Sequence, residues 1–240
     1  MAQTCWGGGR ILGRLYDVRR RSILLCAIKL LRESKENNMN MDMDVTLGGL
    51  LESVDSSVLP DPETFMYYKF LNDRKIIISG EVCDGFIERA TLPYLEMDRD
   101  GSGKPIEIVV STNGGNLYDG FSLIDQIERA VTPTTIRIVG MALSMGTLIA
   151  MAGKNNPNVK TVCDPFSIGL LHSGSQYMEG TTHAVKDLFD FTQAYEAKIK
   201  RFILSHSKID EEYYDKIERV ELWLDAETML KLGIVDEILG

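Results

Sequence analysis

Four short runs rich in β-branched residues, KIIISG (75–80), PIEIVVS (105–111), TTIRIVG (134–140) and NVKTVCD (158–164), are bounded by Gly, Pro, Asn or Asp, as buried strands are. Segments with helical spacing lie between them. GFIERATLPYLEM reads as a helix kinked near Pro93, and NLYDGFSLIDQIERAV sets Leu117, Phe121, Leu123, Ile124 and Ile127 near one face. The stretch THAVKDLFDFTQAYEAKIKRFILSHS, 182 to 207, reads as one long helix. Strands alternating with helices predict an α/β fold with largely parallel pairing.

The 240 residues carry a formal net charge of −9, which argues against a nucleic-acid partner because phosphate binding calls for a basic surface. Charge is uneven. Residues 1–38 hold eight Lys or Arg against three acids, a balance of +5, and the polar stretch NNMNMDMDV follows. RRRSILLCAIKLL within that segment has the order of a membrane-surface helix or a secretory signal, but SILLCAI is short and Lys29 interrupts it. No apolar run approaches the roughly 18 residues of a spanning helix. Cys5, Cys26, Cys83 and Cys163 are scattered, with no CxxC pair and no histidine at zinc-ligand spacing. Neither a disulfide framework nor a metal site is predicted, and a reducing cytoplasm fits best.

In α/β folds the chemistry gathers where strands end. TNGGN follows PIEIVVS, and Gly114 and Gly115 permit backbone conformations and close approaches that a side chain forbids. MALSMG follows TTIRIVG, where Ser144 opens an apolar helix. A serine there is either an N-cap or a nucleophile with unpaired helix amides beside it. A nucleophile needs a base, and the chain has three histidines. His172 follows the apolar run SIGLL at a strand end, whereas His183 and His206 sit at the two ends of the long helix.

KIIISGEV, STNGG, GMALSMGTLIAMAG, SIGLLHSG and WLDAETMLKLGIVDEI resemble, in this order, segments of the Clp protease proteolytic subunit family, over roughly residues 70 to 240. The resemblance implies a ClpP/crotonase-type α/β fold with a handle of strand plus long helix at SGSQYMEGTTHAVKDLF. It divides the chain into a basic extension and polar linker, 1–60, and a serine peptidase domain, 61–240. It also implies endopeptidase activity on peptides or unfolded proteins, stacked homo-oligomeric rings and an ATP-driven unfoldase partner. Ser144 then matches the nucleophile, His172 the general base, and the backbone amides of Gly115 and Met145 the oxyanion hole. Peptide hydrolysis by this route requires no cofactor. No GxxxxGK[ST] loop is present, so ATP dependence would lie with a separate protein.

Three departures stand out. TNGG lacks the proline that usually precedes the glycines, Glu107 and Val109 replace the tyrosines of the unfoldase-docking pocket, and Glu221 stands at the place of the triad aspartate. Asp225, just before AETMLKLG, reads as a helix N-cap. Other readings stay open: a Ser-Lys peptidase of the signal-peptide-peptidase type using Lys154 or Lys160, a crotonase-like acyl-CoA enzyme, and a catalytically silent ring subunit.

Overall fold

A computed structural model describes residues 61–174, 177–217 and 219–240. The basic extension and linker, 1–60, lie outside the described residues. The chain divides into two units, Met1–Tyr68 and Lys69–Gly240. Of the first unit only 61–68 are described. They begin helix α1 (Pro62–Asn72), where the Asp61 carboxylate accepts the backbone N–H groups of Glu63 and Thr64, each at 3.0 Å, and caps the helix.

The second unit is a mixed α/β layer. Strands β1 (Lys75–Val82), β2 (Ile106–Gly115), β3 (Thr134–Leu143) and β4 (Val159–Cys163) lie side by side and parallel, in chain order, and β7 (Glu237–Ile238) adds parallel to β4. β5 (Ile168–Leu171) continues beside the end of β3, and β6 (Leu222–Leu224) pairs antiparallel with β5. Between β1 and β2 the chain makes one wide turn of π-helical pitch, Ile87–Thr91, then helix α2 (Leu92–Arg99). The change of pitch falls just before Pro93, whose ring cannot donate a helical hydrogen bond.

Helix α3 (Leu117–Ile127) buries Leu123, Ile124 and Ile127 against the sheet, and α4 (Met145–Met151) buries every residue. Ile76, Ile78, Ile108, Val110, Ile136 and Ile138 complete this core. Burial alternates along β2, so Val109 and, on the neighbouring strands, Ile77 and Arg137 occupy a second, half-exposed face. The long helix α5 (Thr182–Ser205), then α6 (Glu211–Ile217) and α7 (Ala226–Lys231), follow. Between Leu171 and Thr182 the described residues form no strand.

The sequence reading ends three strands too early: β1 runs through Val82, past Gly80. β2 runs through Gly115 and β3 through Leu143, each past the residues where a turn was expected. The reason is a slip of register: Gly80 pairs with Thr112 but Glu81 pairs with Gly114, and the β2–β3 register also shifts between Val110 and Thr112. A bulge of this kind kinks a strand without ending it, and no local propensity announces it.

Candidate functional site

β3 delivers Ser144 to the start of α4 with φ 53° and ψ −117°, an unfavourable conformation for a residue with a Cβ. The surrounding bonds hold it there. The Ser144 N–H donates to the Leu170 carbonyl at 2.9 Å, while its own carbonyl accepts the N–H of Thr147 at 2.9 Å. The hydroxyl makes no capping hydrogen bond. It lies 2.8 Å from Nε2 of His172, which immediately follows β5. Ser144 occupies the N-cap position of α4, but its hydrogen bond goes to the imidazole and not to a helix amide.

The glycine turn closes the other side. A methyl group on Gly114 would sit 2.6 Å from the Leu143 carbonyl oxygen and 2.8 Å from Cβ of Ser144; one on Gly115 would sit 2.2 Å from the Val82 carbonyl oxygen. Their φ values are 90° and 143°, so both space and conformation demand glycine. Met145 is the first residue of α4, and its N–H has no partner four residues back within the helix. Gly115, Ser144 and His172 line one cavity of about 490 Å3, whose walls are Leu117, Leu148, Leu171 and, from α5, Ile199 and Ile203.

Two buried threonines that the sequence reading passed over fasten this corner. The Thr112 hydroxyl accepts the Gly114 N–H at 3.0 Å and donates to the Gly80 carbonyl, bridging the bulge. The Thr147 hydroxyl accepts the Leu170 N–H at 3.1 Å and lies near the Ala142 and Leu170 carbonyls. Threonine in a strand reads as a β-former, and in a helix as nothing special; neither signal marks a clasp.

Glu221 is exposed, and its carboxylate accepts the Trp223 indole N–H at 3.3 Å. Among the described residues no hydrogen bond joins it to His172. The strand register nonetheless runs toward that pairing: Leu170 faces Trp223 and Leu171 faces Leu222, so one further step sets His172 opposite Glu221. Asp225 caps α7, accepting the Thr228 N–H at 2.8 Å, and the Thr228 hydroxyl together with that N–H holds its carboxyl below the usual aspartate value.

The lysines of the dyad alternative point elsewhere. Lys154 binds Asp236 at 2.8 Å, and Lys160 binds Glu237. Lys200 lines the Ser144 cavity, but its ammonium is 2.8 Å from Asp215 and lies over the Tyr214 ring. Among the described residues no group of three or more His, Cys, Asp or Glu is placed to hold a metal ion. His183 and His206 stand apart from the corner. The His206 ring stacks on Phe202, and its Nε2 lies 3.1 Å from Glu128 Oε1, near enough for an ion pair but off the line of an N–H···O bond. Burial alone would lower the His206 pKa; the Glu128 carboxylate and the Phe202 carbonyl outweigh it and hold the imidazole above its ordinary value.

Fold and corner together define a class, a mixed α/β protein with a serine and a histidine in contact at a strand-to-helix turn. Sequence comparison places the chain more narrowly. The sequence model described as Clp protease matches residues 62–240, and the chain belongs to that family. The ATP-dependent Clp protease proteolytic subunit of Lactococcus lactis subsp. lactis is 28% identical over 180 residues, 72% of this chain and 87% of that protein. The subunit of the same name from Streptococcus gordonii is 29% identical over 182 residues, 73% of this chain and 89% of its own length. Proteolytic subunit 1 of Salinibacter ruber is 22% identical over 175 residues, 73% and 74% of the two chains. Among the described residues no helix is long and apolar enough to cross a membrane.

Proposed function

We propose that this chain is a serine endopeptidase in which Ser144 attacks the peptide carbonyl and His172 moves the proton. The observation that carries the reading is the 2.8 Å contact between the Ser144 hydroxyl and His172 Nε2, made by a serine that forgoes its capping bond. His172 takes the Ser144 proton as the Oγ–carbonyl bond forms, then gives it to the leaving amine as the C–N bond breaks. The backbone amides of Gly115 and Met145, in β2 and at the start of α4, receive the oxyanion. Water, deprotonated by the same imidazole, releases the acyl group. Glu221 orients His172 by leaving the Trp223 indole for the ring's Nδ1–H across the β5–β6 pair, where facing Cβ atoms lie about 5 Å apart.

The chain acts in homo-oligomeric rings in the cytoplasm on unfolded or peptide substrates. Leu188, Phe189 and Phe191, exposed on the first half of α5, supply apolar surface for assembly. Glu107 is ion-paired to Lys75 at 2.6 Å where the docking tyrosines are expected, so an ATP-driven unfoldase would engage this chain through other contacts. Steady-state peptide hydrolysis tests the reading. Ser144→Ala is expected to lower turnover by on the order of a millionfold with the fold intact, and parental turnover in the folded variant would end it.

A further inference from the structure

The cavity corner depends on a short strand, β5, held between β3 and β6. β5 is four residues long and meets β3 over three pairs, Met141 with Ile168, Ala142 with Gly169 and Leu143 with Leu170. His172 stands one residue beyond its end. From the other side, the Thr147 hydroxyl, on a side chain wholly buried in α4, reaches both ends of the gap. It lies 2.6 Å from the Ala142 carbonyl, which belongs to the strand leading to Ser144, and 2.8 Å from the Leu170 carbonyl, and it accepts the Leu170 N–H at 3.1 Å. The Leu170 carbonyl in turn accepts the Ser144 N–H at 2.9 Å. One residue, Leu170, two before His172, is therefore held by the nucleophile's own backbone and by the side chain three residues after the nucleophile.

We propose that Thr147 is a positioning residue for the reaction: its hydroxyl fixes the His172 strand against the Ser144 turn, setting the 2.8 Å contact between the two side chains. The inference rests on the serine-peptidase reading above. Thr147 touches no substrate. It acts on the distance and angle between base and nucleophile, where a displacement of about 1 Å costs roughly a hundredfold in rate. The hydroxyl has one proton and its lone pair takes the Leu170 N–H: with the proton on the Ala142 carbonyl it bridges β3 and β5, and with the proton on the Leu170 carbonyl both bonds tie β5 to α4, three residues after Ser144.

Three variants of the 240-residue protein separate this role from packing. Thr147→Val keeps the shape and loses the hydroxyl; Thr147→Ser keeps the hydroxyl and loses a methyl; Thr147→Ala loses both. If the residue only fills space, Val is the best tolerated. If the hydroxyl positions the histidine, Ser is. The expected result is kcat within about threefold of the parent for Thr147→Ser and lowered about ten- to a hundredfold for Thr147→Val and Thr147→Ala, with KM within about twofold throughout. Should Thr147→Val fail to fold, the Ser and Ala pair, which differ by the oxygen alone, decides. Thr147→Val matching or exceeding Thr147→Ser, or a change confined to KM, overturns the inference while leaving the peptidase reading standing. A parent protein that hydrolyses no peptide and whose Ser144 takes up no fluorophosphonate overturns both.

Discussion

Helices α4 and α5 are opposites. Every one of the seven residues of α4 is buried, whereas α5, with 24 residues, buries two, Thr192 and Ile203. The contrast explains where each kind of work is done. A backbone strained at Ser144 persists only where its surroundings over-determine it, and the packed shell of α4, β3 and β5 supplies that. α5 contributes Ile199 and Ile203 to the cavity wall from its second half, while its first half presents Phe189 and Leu188 to whatever lies outside the chain. The chemistry proposed above falls in the packed region, and the proposed assembly surface on the exposed one.

The sharpest way to probe the buried corner away from Ser144 is at its exposed edge. Glu221→Gln keeps the hydrogen bond to the Trp223 side but removes the charge that steadies an imidazolium. Turnover is expected to fall by on the order of a hundredfold or more with the melting temperature nearly unchanged. Asp225→Asn, which still caps α7, keeps most activity. Measured at saturating peptide, an active Glu221→Gln beside an inactive Asp225→Asn reverses the assignment.

How much of this corner was legible in the sequence follows from the range of each interaction. The strands could be read because β-branched runs between turn residues are local signals, and Ser144 because a lone hydroxyl interrupts an apolar helix start. His172 could be read as a strand-end histidine. The bulge at Thr112 could not, since it depends on how β1 and β2 register, nor could the clasps of Thr112 and Thr147, whose partners lie 32 and 23 residues away. Glu221 could be placed by likeness to a family, but the register that would set it opposite His172 depends on the β5–β6 pairing, which no spacing within either segment encodes. The alternation of the sheet was hidden too: runs such as IEIVV are apolar enough to suggest strands covered on both faces, yet Val109 is half exposed.

A smaller effect is expected on the exposed helix. Phe189, about half exposed and outside the aromatic stack of Phe191 on Tyr195, is a surface residue of the single chain. Phe189→Ser is expected to alter chain stability by only about 0.5 kcal/mol while shifting the particle to smaller assemblies in light scattering. An unchanged particle mass would remove the assembly role from this face.

The smallest effect belongs to the place where α5 is tied down. Its C-cap, His206, meets Glu128, whose carboxyl burial would raise but which the His206 contact and the Gly153 N–H hold below its ordinary value. With the His206 pKa raised when folded, its contribution is fully present below the unfolded value near 6.5 and is lost as pH rises through the folded value. The Glu128 contribution is present above its unfolded value near 4.5 and is lost as pH falls through the folded one. The pair therefore helps most between these limits, by about 1 kcal/mol or less given its partial exposure. His206→Gln should lower the melting temperature most in that window and least at about pH 8; a deficit that grows with pH would refute the pairing.

The central claim is that Ser144 is an activated hydroxyl because His172 stands beside it. Reaction of the intact protein with a fluorophosphonate probe, read by intact mass and peptide mapping, tests it most directly. The account predicts a single adduct per chain on Ser144 and its loss in the folded His172→Ala variant. A parent chain left unmodified at Ser144, or an adduct that forms at the same rate without His172, would contradict it.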